Sequence, residues 1–485
     1  MTNKVNYTNN GKIDCVSISL AVVRKNNDVF RFDAEYFNRE ALLLDDLIRS
    51  RAFYVLKDKF DVSKLAGFEF TKFFTKENME DENSYVALTS KNIQRENLLL
   101  NETIRISKKA ADDNLSRSKL YLNDIVLSYT GEYRRSLVMD KPNFQLGPNV
   151  CRIRSKESMG SPFFLSLFLN CYSGQIILDR EKTLSAQPTV AMSRIREIPV
   201  PLFSKEYLDL IEKCYSNMNQ MRNKSKELMQ RAESLLNFTL GFDQLILKKE
   251  VCSIKRLAES VTKFQRFDAE YYQEKYEQIQ SQIKKGFQTI KIGDAVEICD
   301  KNFSPNPEQQ YKYLELADID DDFHIVDFSF EYGNKLPSRA RRLVHTGDVL
   351  VSTIQGSMET IAIANDSFDS AICSNGFFVC KCKKIRPEIF ALLLKNKYIN
   401  MLLQQRCTGT ILMSIDKENF EAIELPYLNE KTTHILINLY GESSSYFIRS
   451  EKILNELLDI VNNSLYVDEK QSIKRLISLE SEIGE

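Results

Sequence analysis

Arg31-Phe32-Asp33-Ala34-Glu35-Tyr36 returns letter for letter as Arg266-Phe267-Asp268-Ala269-Glu270-Tyr271, 235 positions later. An identity this short can arise by chance, so the segments downstream of each copy decide its meaning. Tyr85-Val86-Ala87-Leu88 is matched by Tyr313-Leu314-Glu315-Leu316. Leu122-Asn123-Asp124-Ile125-Val126-Leu127-Ser128 is matched by His345-Thr346-Gly347-Asp348-Val349-Leu350-Val351-Ser352. Both read as turn-then-strand units, with Asn-Asp or Gly-Asp supplying the turn. Each then reaches a small-residue break, Thr130-Gly131-Glu132 or Gln355-Gly356-Ser357. Val150-Cys151-Arg152-Ile153 is matched by Val379-Cys380-Lys381-Cys382, and a helix comes next (Pro162 to Leu178, Pro387 to Gln405). Ile198-Pro199-Val200-Pro201 and Ile423-Glu424-Leu425-Pro426 close the two series. The offsets drift among 235, 228, 224, 229 and 225, as small loop insertions produce. A period this long means a duplicated domain rather than a solenoid.

After each closing proline comes a long helical pattern. Tyr207, Ile211, Cys214, Met218, Met221, Ser225, Leu228, Ala232 and Leu235 alternate steps of four and three, and so do Leu436, Tyr440, Ser443, Phe447, Ser450, Leu454, Leu457, Val461 and Ser464. These are heptad seams, the pattern that packs one helix lengthwise on another. Small residues in one seam are expected to face large ones in the other. The fold class is therefore mixed α/β, with two similar α/β modules joined by two long antiparallel, coiled-coil-like helices. The expected divisions are an N-terminal extension at 1–30, a first module at 31–204, a central helix at 205–248, a second module at 249–428 and a C-terminal helix at 429–485. Within the extension, the first twelve residues are polar and Asn-rich, and Ile13 to Val23 is apolar and β-prone. The hexamer itself reads as an amphipathic helix start, with Asp33 and Glu35 at the positive end of the dipole.

The 485 residues, 43% hydrophobic and 27% charged, have the composition of a soluble globular protein with real cores. No stretch approaches the roughly 20 apolar residues that span a bilayer. The N-terminus lacks a basic segment followed by an apolar core, so no secretion signal is expected. Ten scattered cysteines without a short disulfide framework suit a reducing cytoplasm. The net charge of −1 neither demands nor excludes a polyanionic partner, because local basic surface is what matters. Three clusters are locally basic: Arg105 to Lys119, Arg134-Arg135, and Lys335 to Arg342.

Absences narrow the chemistry. There is no Gly-x-Gly and so no glycine-rich nucleotide loop. No Gly-Lys-Thr or Gly-Lys-Ser occurs, nor the Pro-Pro dipeptide of amino-methyltransferases, nor a Glu-x-Lys triplet of metal-dependent nucleases. His324, His345 and His434 lie far apart and read as surface or helix residues. Cys373, Cys380 and Cys382 could begin a zinc site. Against this, Cys151 matches Cys380 and Ile153 matches Cys382, so an apolar strand residue serves at the latter. Phe378, Cys380 and Cys382 then read as one buried strand face, and no metal and no catalytic centre are expected.

Two related modules, two rods and no catalytic apparatus suit recognition. The hexamers, the Tyr-Val-Ala-Leu and Tyr-Leu-Glu-Leu strands, the Asn/Gly-Asp units and the proline-terminated strands before long helices together resemble the specificity (S) subunit of Type I restriction-modification systems. The likeness covers about residues 30 to 480. It implies two target-recognition domains joined by antiparallel helices and a bipartite, asymmetric site on double-stranded DNA. It also implies a scaffold for two methyltransferase (M) subunits, which carry S-adenosylmethionine, and for restriction (R) subunits using ATP and Mg. This chain itself would be non-catalytic, cofactor-free, cytoplasmic and part of phage defence.

Loop position and chemistry, rather than the resemblance, nominate DNA-contacting residues. They are Lys91, Asn92, Arg117, Tyr129, Arg134 and Arg135 in the first module, and Arg339, Arg341, Arg342, Gln355 and Ser357 in the second. Arg or Lys suits guanine and phosphate, and Asn or Gln suits adenine. The alternative is a protein scaffold whose helices assemble partners without reading DNA.

Overall fold

The computed structural model describes residues 6–9, 14–25, 31, 33–100, 103–130, 134–183, 187–247, 254, 256–257, 266–409 and 413–484. Phe32 and the Gly131-Glu132 break lie outside them. The chain divides into two compact units, Met1–Gln220 with Arg449–Glu485, and Met221–Ile448.

In the first unit, one antiparallel sheet runs in the order Ser136–Val138, Ile125–Ser128, Val150–Ser155, Phe60–Lys64. A second runs Ile104–Ser107, Ser84–Leu88, Phe144–Leu146, Lys119–Leu120, and its two middle strands are parallel. Pro199–Pro201 closes the module against Phe53–Val55. The strands Ile125–Ser128 and Val150–Ser155 are buried on both faces over most of their length, hence the apolar run Ile125 to Leu127; in the second strand the buried stretch includes Arg152.

The second unit has the same strand order. Its antiparallel sheet runs Ile361–Ile363, Val349–Ser352, Phe377–Cys382, Val296–Ile298. Its mixed sheet runs Ser329–Tyr332, Gln310–Leu314, Ala371–Ser374, Ala340–Val344, again with the middle pair parallel. Glu424–Pro426 closes it against Thr289–Lys291. The duplication inferred from the hexamers is thus a duplication of topology.

The expected turns form as their chemistry requires. Asn123 and Gly347 sit at φ of +64° and +84°, the left-handed region that Asn and Gly tolerate. The next residues, Asp124 and Asp348, accept the backbone N–H of Tyr121 and His345 at 2.7 and 2.8 Å.

Strand pairing corrects the expected register. Ile125 faces Ile153 as Val349 faces Cys380, so Cys380 stands where Ile153 does, not where Cys151 does. Leu88 faces Leu146 as Leu314 faces Cys373, so Tyr85 corresponds to Tyr311 rather than Tyr313. Both expected alignments are two residues out. Side chains alternate faces with a period of two, so a two-residue slip preserves the inside-outside pattern and is invisible to it. Cys380 and Cys382 pack on one core and Cys373 on another. Among the described residues, no group of three His, Cys, Asp or Glu side chains is arranged to hold a metal ion.

The helix expected after each set of strands is a pair. Pro162–Asn170 and Tyr172–Arg180 break at Cys171, and Pro387–Lys395 and Lys397–Gln405 break at Asn396. The hexamers clasp the ends of these pairs, and the α-helices begin only at Arg39 and Glu274, although Ala269–Tyr272 of the second copy forms a 3-10 turn. Arg31 pairs with Asp33 and donates to the carbonyls of Arg180 and Lys182 at 3.2 and 2.8 Å. Arg266 pairs with Asp268 and donates to the carbonyl of Gln405 at 3.4 Å. Each arginine also lies over its own tyrosine, Tyr36 or Tyr271.

The first long helix is Lys205–Leu240. The second is Glu430–Asn463, after which the chain turns and forms a separate helix, Glu469–Gly484. Asp468 starts that helix, its carboxylate accepting the N–H of Lys470 at 3.2 Å. In the first unit, Ser204 meets Glu469 and Lys213 meets Glu480, so Lys205–Leu240 and the last helix run the same way. Arg475 meets Glu456 and Lys452 meets Glu482, so Glu430–Asn463 runs against both. The expected antiparallel pairing of the long helices holds there. Of the nominated seam, Ile211, Met218, Leu228, Phe447, Leu454, Leu457 and Val461 are buried. Met221 is only half-buried, and so is Leu235, because beyond Ala232 the buried stripe moves to Leu236 and Leu240. That is the drift of a 3.6-residue helix away from a strict heptad. No described helix is long and apolar enough to cross a membrane.

Candidate nucleic-acid interface

In a parallel strand pair the carboxyl ends lie at the same edge, and each module gathers loops there. In the first unit the edge holds the turn Ser90–Asn92 after Ser84–Leu88 and the loop Gly147 to Asn149 after Phe144–Leu146. Gly147 donates to the Leu88 carbonyl at 2.7 Å, and a Cβ there would lie 2.7 Å from the same oxygen. Only glycine lets the two strand ends approach that closely. The antiparallel neighbours bring Arg117 ahead of Lys119–Leu120, and Tyr129 after Ile125–Ser128. In the second unit the corresponding edge holds Arg339, which accepts the Asn375 N–H at its carbonyl, and Thr353, which bonds Gly376. Gln355 comes next, its N–H on the Met413 carbonyl.

The nominated residues separate by burial. Lys91, Arg117, Arg339, Arg341 and Gln355 are exposed at these edges. Arg117 and Arg341 occupy matching positions, each four residues before the Asp-capped turn at Tyr121 or His345. Arg339 is braced by Glu315 and by the Tyr313 hydroxyl, and that hydrogen-bonded carboxylate pushes its pKa further up. Arg341 donates to the Ser338 carbonyl, and half-buried Arg342 to Asn302, each at 2.6 Å. Ser357 bonds Ser352 at 3.0 Å and closes its own turn.

Four of the first module's nominations are wholly or partly buried. Asn92 is buried, its amide accepting from Thr89 and donating to the Leu99 carbonyl at 2.9 Å, which holds the turn that presents Lys91. Arg134 is buried and paired with Asp179, and burial lowers its pKa. Half-buried Arg135 donates to Gln94. Tyr129 is mostly buried, which raises its pKa, and Lys64 lies over its ring at 5.3 Å. A two-residue basic run in an otherwise polar segment gives no sign of such burial.

Lys64 and Asn375 were missed. Lys64 ends the strand Phe60–Lys64 opposite Cys151, which places it at the same edge, and it is exposed. Asn375 is an exposed amide beside Arg339. Neither stands in a basic run, so composition alone does not mark them.

The fold and these edges define a tandem protein: one mixed α/β module built twice, each copy followed by a long helix and each presenting exposed cations at one end, joined by amides in the second. No protein-family model and no curated protein sequence matches the chain. Among solved structures, it is similar to the S subunit of a Type I restriction-modification system from M. genitalium, at 12% identity and a TM-score of 0.32, covering 88% of this chain and 95% of that one. It is similar to the HsdS subunit from Thermoanaerobacter tengcongensis, at 14% identity and a TM-score of 0.26, covering 89% and 96%. A third structure bears on complex assembly and conformational transition of the type I R-M system, at 13% identity and a TM-score of 0.26, covering 88% and 97%.

Proposed function

We propose that this chain is the DNA-specificity subunit of a Type I restriction-modification complex. The observation that carries this reading is internal to the chain. The same strand order is built twice, yet the equivalent edges differ in chemistry. Lys64, Lys91, Arg117 and Tyr129 stand at one, and Arg339, Arg341, Gln355 and Asn375 at the other. Identical scaffolds with unlike edges are what reading two unlike half-sites requires. Cations position the module on phosphates, while amides and arginines discriminate base edges.

In this reading each module reads one half-site of a bipartite, asymmetric duplex target, and the long helices set the gap. The chain contributes no bond-making chemistry. Methyl transfer from S-adenosylmethionine belongs to two M subunits, and ATP- and Mg-dependent cleavage to R subunits, all scaffolded on it. The test is selection from a randomised duplex pool by the chain assembled with its methyltransferase. Two short conserved blocks separated by a fixed unselected gap are expected. A complex that assembles but enriches no sequence favours the scaffold alternative.

A further inference from the structure

We propose that Glu96 is a positioning residue for the DNA-facing edge of the first module, an inference that rests on the DNA-reading function above. Glu96 sits at the tip of a hairpin, Ile93–Gln94 with Asn97–Leu98, which comes directly after the turn bearing Lys91. Its φ of +54° is the left-handed region, and it is 4% exposed. Its carboxylate accepts from the Ser166 hydroxyl at 2.5 Å, from the Asn170 amide at 2.7 Å and from the Tyr215 hydroxyl on the long helix. Its N–H donates to the carbonyl of Ser136 at 3.0 Å.

Ser136 is the residue after Arg134-Arg135. Its N–H donates to Asn170 at 2.9 Å and its hydroxyl to the Ser166 carbonyl at 3.1 Å. Gln94 in the same hairpin accepts from Arg135. Glu96 therefore ties the Lys91 turn to the helix Pro162–Asn170 and the long helix through its carboxylate, and to the strand start behind Arg135 through its N–H.

The second module shows that the fold does not need this cluster. There the turn after Leu316–Asp318 carries Phe323 at φ of +72°, 2% exposed, meeting Tyr440 edge-on at 6.2 Å. Tyr440 lies as far beyond Pro426 as Tyr215 lies beyond Pro201. Ser136 faces Leu127 as Ile361 faces Val351, so Ile361 replaces Ser136. Counting from Pro162 and Pro387, Ala391 replaces Ser166. At the position of Glu96 the second copy places an apolar side chain, with the buried Asp320–His324 pair bonded to each other within the turn rather than to the helices, whereas the first copy buries a carboxylate that takes donors from two helices. Burying such a network is costly, and directional bonds hold one geometry where apolar contact tolerates sliding. The return on that cost is a fixed placement of the first module's reading edge.

The test is duplex selection by the complete complex, scoring base preference at each position for the wild type, Glu96→Gln, Glu96→Ala and the triple variant Glu96→Phe with Ser136→Ile and Ser166→Ala. Glu96→Ala and the triple variant are expected to lose about tenfold or more discrimination in one half of the target, the scale of one base contact, with the other half unchanged. Glu96→Gln keeps an oxygen for Ser166 and Asn170 and should stay within about threefold. The triple variant moves three positions of the cluster to the second module's residues and leaves Asn170, matched there by Lys395 over the Phe323 ring at 5.4 Å, with its bonds to the backbone of position 136, so it separates positioning from folding. Equal loss in both halves, or no loss in either, overturns the proposal. A wild-type complex that selects no sequence fails earlier and overturns the DNA-reading function itself.

Discussion

The hydroxyls of Ser225 and Ser443 lie 2.8 Å apart in the second unit, one on each long helix, and Ser443 also donates to the Ser225 carbonyl at 2.9 Å. Small residue faces small here, not small against large as the seams suggest, and both are buried. Ser443→Leu should therefore overpack this contact and destabilise the protein by about 1–3 kcal/mol in denaturant unfolding. Ser443→Ala leaves the Ser225 hydroxyl to rebond within its own helix and should cost less than about 1.5 kcal/mol.

The Arg31 clasp predicts acid sensitivity. Hydrogen bonding by Arg31 holds the Asp33 carboxyl below its ordinary value, opposed by burial. A group with a depressed folded pKa contributes stability above its unfolded value, about 4, and loses it as the pH falls through the folded one. Arg31→Ala should cost about 1–3 kcal/mol at pH 7 and flatten the acid limb of a stability-pH curve.

Asp322 predicts the opposite slope. Burial, with the nearby Asp320 charge, pushes its pKa up to about 6, while His324, Lys226 and Lys395 act to lower it. Folding then favours the protonated acid, so the penalty is absent below about pH 4 and complete above pH 6. Asp322→Asn should stabilise on the order of 1 kcal/mol at pH 8 and leave thermal unfolding at pH 3.5 unchanged.

Burial separates the arginines by phenotype. Arg134→Ala removes the partner of Asp179 from a buried site and should lower the melting temperature. Arg117→Ala and Arg341→Ala alter exposed edge residues and should leave melting unchanged. Each should instead weaken DNA binding by the assembled complex and reduce the salt slope by about 1.

The duplication, the strand types, the Asp-capped turns and most of the seam were legible because each depends on local chemistry or on a periodicity. Register was not, since a two-residue slip leaves the Tyr85 and Cys151 patterns looking correct. The break after Asn463 had a local signal in Asp468, but the seam runs on through Ser464 and masked it. Glu96 had no sequence signal. Its role comes from Ser166, Asn170 and Tyr215, brought to it by tertiary packing alone.

Base-resolution methylation mapping of DNA exposed to this chain with its methyltransferase tests the central claim most directly. The account predicts methylated adenines within one asymmetric motif of two specific blocks and a constant gap, and none when this chain is supplied alone. Methylation without sequence preference, a single uninterrupted motif, or methyl transfer by this chain by itself would contradict it.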